Sequence, residues 1–195
     1  MEDAGEKKKE IIGEVEAVLD ALPPEEKSRK QKTIEERLFG FANFMEAKVV
    51  LLYLAKQGEV ETLDIIKRAL EGGKMVVLPV FNRESSKTTL YKVENSPEDL
   101  IDGPDGCLTP DPSRCKTVPI NHIDIAIVPG QAFDEKGGRI GIGDKFYDKF
   151  VQKLPITTRK VAIAFEEQVI SQVPTDSRNK HIDIIVTDSR TIYKI

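Results

Sequence analysis

Between residues 128 and 148 the chain reads Val-Pro-Gly-Gln-Ala-Phe-Asp-Glu-Lys-Gly-Gly-Arg-Ile-Gly-Ile-Gly-Asp-Lys-Phe-Tyr-Asp. A strand-like apolar run, Ile123 to Val128, enters this stretch at Pro129-Gly130, and a helix is predicted from about Asp144. Strand, glycine loop and helix start can hold a phosphate, because glycines let backbone N–H groups approach the ligand and a helix N-terminus favours an anion. Arg139 adds a fixed positive charge. Asp148, about one turn into the helix, offers a carboxylate to a divalent cation between phosphates. No GxxxxGK[ST] motif is present, and the dinucleotide pattern GxGxxG is broken at its last position. On these residues alone, an ordinary strand–loop–helix corner stays open.

A second group of chemical residues follows an earlier apolar run. Glu59 and Glu61 flank Val60 just past Ala47–Leu54, and alternation in an extended segment puts both on one side. Glu61, before Thr62-Leu63, reads as a helix-start acid stabilised by the dipole. Asp144 places a negative charge where phosphates would sit, or else serves as an N-cap, and Lys145 can offset that charge by reaching the phosphates. Cys107 and Cys115 lie in a Pro-, Gly- and Asp-rich segment and read as free thiols. His122 and His181 are far apart, and no His/Cys group has zinc-ligand spacing.

The elements that must position these residues read as one α/β domain over residues 1–195, with residues 1–6 expected to be disordered. An amphipathic helix is predicted over 7–21, and Pro24-Glu-Glu opens a second that reaches about Phe41. Strands are predicted at 47–54, 75–80, 88–93, 123–128, 160–165 and 182–187, with an edge strand added at 191–194. Helices fall at 63–70, closed by Gly72-Gly73, at 144–153 and around 166–172, while 95–118 reads as a loop wrapping the sheet. Strand–helix–strand spacing implies right-handed crossovers and an open, mainly parallel sheet flanked by helices. Ligands of such sheets sit beyond the carboxyl ends of the strands, so Glu59 and the glycine loop are expected on one rim.

At 195 residues, with 32% charged and 39% apolar residues, the chain suits a soluble globular protein with a full core. Its net charge of −4 gives no general case for nucleic acid or anionic membrane. No run of 18 apolar residues is present to span a bilayer. The acidic start followed by lysines is the reverse of a signal peptide, so the cytoplasm is expected; a monomer or small homo-oligomer is expected as well.

Pro129-Gly130, Phe133-Asp134, Gly138-Arg139-Ile140-Gly141-x-Gly143 and Phe146-Tyr147-Asp148 resemble the signature of the 5-formyltetrahydrofolate cyclo-ligase family. Glu59-Val60-Glu61-Thr62, Ala164-Phe165-x-x-Gln168 and Val173-Pro174 are similar to further elements of that family, so the likeness covers most of the chain. It implies ATP- and Mg²⁺-dependent closure of 5-formyltetrahydrofolate to the 5,10-methenyl form. It also implies that Glu59 and Leu54 hold the reduced folate and that Lys8, Arg139, Gly141, Gly143 and Lys145 meet the ATP phosphates. Phe146 and Tyr147 would line the pocket between the ligands, Arg139 and Tyr147 acting in catalysis. Asp148 and Asn179 would hold magnesium. Gln168 reads as a packing and turn residue. Three departures from the family pattern fall on the nucleotide side: Ile12 for a basic residue, Asp144-Lys145 for glycine-containing sequence, and Asn179 for Asp. They leave open a folate-binding relative with a degraded ATP site; a third reading is another phosphate-ligand protein on a similar α/β fold.

Overall fold

The computed structural model describes residues 4–82, 84–103, 106–142, 146–174 and 181–194. Helix α1 (Ala4–Asp20) stops before Pro23-Pro24 and takes in residues 4–6 of the stretch expected to be disordered. Helix α2 (Pro24–Phe39) begins with proline inside its first turn and Glu25 and Glu26 at the positive end of its dipole. A short helix α3 (Ala42–Glu46) leads into strand β1 (Val49–Leu51), and helix α4 (Leu63–Glu71) carries the chain to β2 (Met75–Asn82). Then come β3 (Lys87–Val93), β4 (Leu100–Asp102), β5 (Leu108–Pro110) and β6 (Lys116–Thr117). Strand β7 (Ile125–Ile127) precedes β8 (Ala132–Asp134), β9 (Arg139–Ile140) and helix α5 (Phe146–Val151). The chain closes with β10 (Arg159–Ala164), a 3₁₀ turn at Glu166–Gln168, β11 (Val169–Ile170), β12 (Ile184–Thr187) and β13 (Thr191–Tyr193).

Among the described residues the main sheet runs β13-β12-β10-β7-β1-β2-β3-β6. Its five inner strands, β2, β1, β7, β10 and β12, pair in parallel, and antiparallel strands close both edges. Side chains alternate between two buried faces along the inner strands. Val50, Val76, Ile125, Ile127, Val161, Ile163, Ile184 and Val186 face one side, together with Ile34 and Leu38 of α2 and Ile65 and Ile66 of α4. Leu51, Val77, Ala126, Ala162 and Ile185 face the other, together with Phe150 and Val151 of α5. The inner strands read as continuous apolar runs because both faces are covered.

The structure redraws several boundaries. The apolar run 47–54 pairs as a strand only over Val49–Leu51, because Tyr53 and Thr62 turn the chain back on itself: the Thr62 hydroxyl donates to the Tyr53 carbonyl and the Tyr53 hydroxyl to the Val60 carbonyl. Residues 95–118 are not wholly a loop, since β4 and β5 pair and β6 extends the main sheet. The glycine stretch is folded, with β8 lying between β9 and β11 in a small sheet. The helix expected at 166–172 is one 3₁₀ turn before β11. Its Gln168 side-chain oxygen accepts from the Phe165 N–H at 2.9 Å, closing the turn after one round.

Candidate active site

The connection from β1 to β2 runs through α4 on one face, and that from β7 to β10 through α5 on the other. The parallel strands therefore stand in the order 2-1-3-4-5, counted along the chain, and the order reverses between β1 and β7. The loops leaving the carboxyl ends of these two strands diverge there and open a crevice. Leu54, Lys56 and Glu59 come to it from the β1 loop; Pro129, Arg139, Ile142 and Tyr147 come from the β7 side. The expected common rim for Glu59 and the glycine loop is present.

Glu59 is held inward by its own turn. Its backbone N–H donates to the Lys56 carbonyl at 3.0 Å, and its Oε2 accepts from the Lys56 N–H at 3.0 Å. Gly58 makes the turn at φ +80°, a left-handed conformation that favours glycine. The Glu59 residue is only 8% exposed, and it forms a wall between the crevice and a second cleft of about 440 Å³ towards α1 and α2. Beneath it the fully buried Tyr53 hydroxyl is pushed well above its ordinary pKa, first by burial and then by the Glu59 charge.

The glycine stretch is built around a buried carboxylate. Asp134 Oδ1 accepts from the N–H groups of Lys136 and Gly138, and its Oδ2 accepts from Val173 N–H. Gly137, at φ +82°, completes the turn between β8 and β9. That hairpin presents Arg139, whose side chain is 8% exposed. Its Nη1 donates to the Pro129 carbonyl at 2.6 Å and its Nη2 to Asp148 Oδ1 at 2.6 Å. Among the described residues the stretch thus brings the Arg139 cation, with its anionic partner Asp148, to the crevice. Gly130 and Gly141 both lie against the Arg139 side chain: a Cβ at Gly130 would stand 3.0 Å from its Cγ, and one at Gly141 2.6 Å from its Nη1.

An aromatic group carries the α5 side of the wall. Phe81, at the carboxyl end of β2, stacks on Phe146 at 5.5 Å and meets Tyr147 edge-on at 4.8 Å. The Arg139 guanidinium lies 5.9 Å from the Tyr147 ring centre. Phe81 and the β5 residues Leu108, Thr109 and Pro110 line the crevice, with Cys107 beside them. The sequence reading did not assign any of these. Phe81 could have been found, since β2 runs parallel to β1 and ends on the same rim; the β5 segment has no local signal.

Leu54, Glu59, Arg139 and Tyr147 therefore converge on one crevice, Phe146 joins it through Phe81, and Asp148 through Arg139. Lys8 lies half-buried on α1 and is not among the lining residues, although α1 packs against β8. Ile12 is apolar for a local reason: it packs on the core. Gly143, Asp144, Lys145 and Asn179 lie outside the described residues. Magnesium commonly takes one or two carboxylates and completes its shell from phosphates and water, and the half-exposed Asp148 suits that role. Among the described residues no three His, Cys, Asp or Glu side chains form a metal cage. No described helix is long and apolar enough to cross a membrane.

The sequence profile of the 5-formyltetrahydrofolate cyclo-ligase family matches residues 4–188. The chain is 26% identical to the mouse protein named 5-formyltetrahydrofolate cyclo-ligase, over 92% of each chain. It is 27% identical to the Escherichia coli K12 protein of the same name, over 87% of this chain and 94% of that one. The fold is also that of the Aquifex aeolicus 5,10-methenyltetrahydrofolate synthetase, with a TM-score of 0.81, 29% identity and coverage of 95% of this chain and 92% of that one.

Proposed function

The chain belongs to the 5-formyltetrahydrofolate cyclo-ligase family, and we propose that it converts 5-formyltetrahydrofolate to 5,10-methenyltetrahydrofolate, with ATP going to ADP and phosphate. The observation that carries this reading is the convergence of Glu59 and Arg139, from loops some 80 residues apart, on one crevice at the sheet's switch point. The formyl oxygen is a poor leaving group. Attack of that oxygen on the ATP γ-phosphorus, with ADP leaving, makes the formyl carbon electrophilic; the neighbouring folate nitrogen then attacks that carbon, losing its proton, and the oxygen departs as phosphate.

Such chemistry asks the protein mainly for positioning and charge neutralisation. Glu59, inward-facing and backed by Tyr53, accepts hydrogen bonds from the reduced pterin, and Leu54 packs on its face. Phe146 and Tyr147 separate the two ligands. Arg139 is restrained by the Pro129 carbonyl and faces the transferring phosphoryl group, with Gly141, Gly143, Lys8 and Lys145 on the remaining phosphates. Asp148 and Asn179 hold Mg²⁺, which supplies neutralisation of phosphate charge when bound. The Arg139–Asp148 pair balances these charges before ligands arrive.

The test follows 5-formyltetrahydrofolate turnover by near-ultraviolet absorbance of the methenyl product, with and without Mg-ATP. Product is expected only with Mg-ATP, and loss of turnover is expected in folded Glu59→Ala and Asp148→Ala proteins. Full turnover in both variants would refute the assignment. Folate binding without any product would point to a binding protein instead.

A further inference from the structure

Gln168 is fully buried, and every polar atom of its side chain is used. Its Oε1 accepts from the Phe165 N–H at 2.9 Å. Its Nε2 donates to the Gly58 carbonyl at 2.9 Å, the Gln131 carbonyl at 3.1 Å and the Gly130 carbonyl at 3.3 Å. A carboxamide nitrogen has two hydrogens, so three carbonyls share two donors. The identity of these carbonyls is what matters. Gly58 immediately precedes Glu59. Gly130 immediately follows Pro129, whose carbonyl restrains Arg139. Two loops that approach from different strands are thus joined by one side chain from a third.

A second carboxamide works alongside it. Gln131 Nε2 points at the Gln57 carbonyl and at Glu16 Oε1 of α1, each at 3.4 Å, and packs on Gly58, where a Cβ would come within 3.1 Å of it. The tie is internal and shielded from water, where hydrogen bonds hold geometry best and an unmade one is costly. Closing the 3₁₀ turn uses only the oxygen, which leaves the nitrogen to join the two loops.

We propose that Gln168 is a positioning residue for the reaction proposed above, setting the Glu59 loop and the Arg139 loop at a fixed relation so that the two substrates meet in reacting geometry. It touches neither substrate itself. Each loop keeps its own internal bonds without it, the Glu59–Lys56 turn on one side and the Asp134-centred hairpin on the other. Removing Gln168 should therefore disturb the relation between the half-sites more than either half-site.

Gln168→Met keeps the volume and removes both donor and acceptor. In the folded variant, kcat is expected to fall about 10- to 100-fold, the cost of roughly an ångström of misplacement. Calorimetric affinities for 5-formyltetrahydrofolate alone and Mg-ATP alone should stay within about threefold, since the loss concerns relative placement rather than binding. Turnover within about twofold of the parent, or separate affinities falling as far as kcat, would overturn the proposal. Hydrogen exchange gives a readout independent of activity. In the parent protein the amides of Glu59 and Gln131, bonded to the Lys56 and Ile140 carbonyls, are expected to exchange through one shared opening, and both should exchange faster in Gln168→Met. Two unrelated openings in the parent would overturn the coupling even if no variant folds. A parent protein without turnover but with shared opening would retain the tie and instead refute the reaction.

Discussion

Gly130→Ala is the smallest change that the site should not tolerate. A Cβ built there stands 2.6 and 2.9 Å from the Phe133 ring and 3.0 Å from Arg139 Cγ, where ordinary contact begins at 3.4 Å. Phe133 is fully buried against the opposite face and cannot withdraw without opening the core. Arg139 must then give way, but its Nη1 and Nη2 are held by the Pro129 carbonyl and Asp148. Displacement by several tenths of an ångström on either side is unavoidable. Overpacking of this kind costs about 1–3 kcal/mol, which for a chain of this size lowers Tm by roughly 3–10 °C. The same displacement moves the guanidinium proposed to face the phosphoryl group, so turnover should fall about 10- to 100-fold. The thermal melt and the methenyl absorbance assay are run on one preparation. If Gly130→Ala kept both its Tm and its kcat, the close packing of Gly130 between Phe133 and Arg139 would be refuted as a constraint on the site.

Three further outcomes follow from other contacts. Phe81→Ala removes a half-buried ring that touches Phe146, Tyr147 and Phe150; it should cost about 2 kcal/mol and raise the KM for the folate, whereas Phe81→Leu should restore most of the stability but not the KM. Tyr53→Phe leaves the buried Val60 carbonyl without its donor, and urea unfolding should show a loss of about 1–2 kcal/mol at unchanged m-value. Asp188 lies under Lys30 and accepts the Glu166 N–H; burial pushes its carboxyl up, but these hydrogen bonds outweigh burial and hold it below the ordinary 3.8. A depressed folded-state pKa stabilises above the unfolded value and loses that contribution as pH falls through the folded one. Asp188→Asn should therefore melt well below the parent at pH 7, by roughly 1–3 kcal/mol, and the two melting curves should converge in acid below the carboxyl's ordinary range; a constant gap down to pH 2 would refute the pairing.

Much of this protein was decided locally along its chain. The inner strands, both N-terminal helices and α4 follow from apolar runs, Pro24 and Gly72-Gly73, because burial on both sheet faces and helix ends leave signals within a few residues. Strand–helix–strand spacing then suffices to bring Glu59 and Arg139 to one rim, since parallel strands share a carboxyl end. What stays out of reach of a linear reading is the pairing of side chains from distant segments. Phe81 finds Phe146, β5 closes over the crevice, and Gln168, which along the chain reads as a packing and turn residue, reaches Gly58 across 110 positions and Gly130 across 38. These contacts have no periodicity to betray them: they exist only because the folded sheet brings separate segments together, and at the 3₁₀ turn the buried polar groups must find partners.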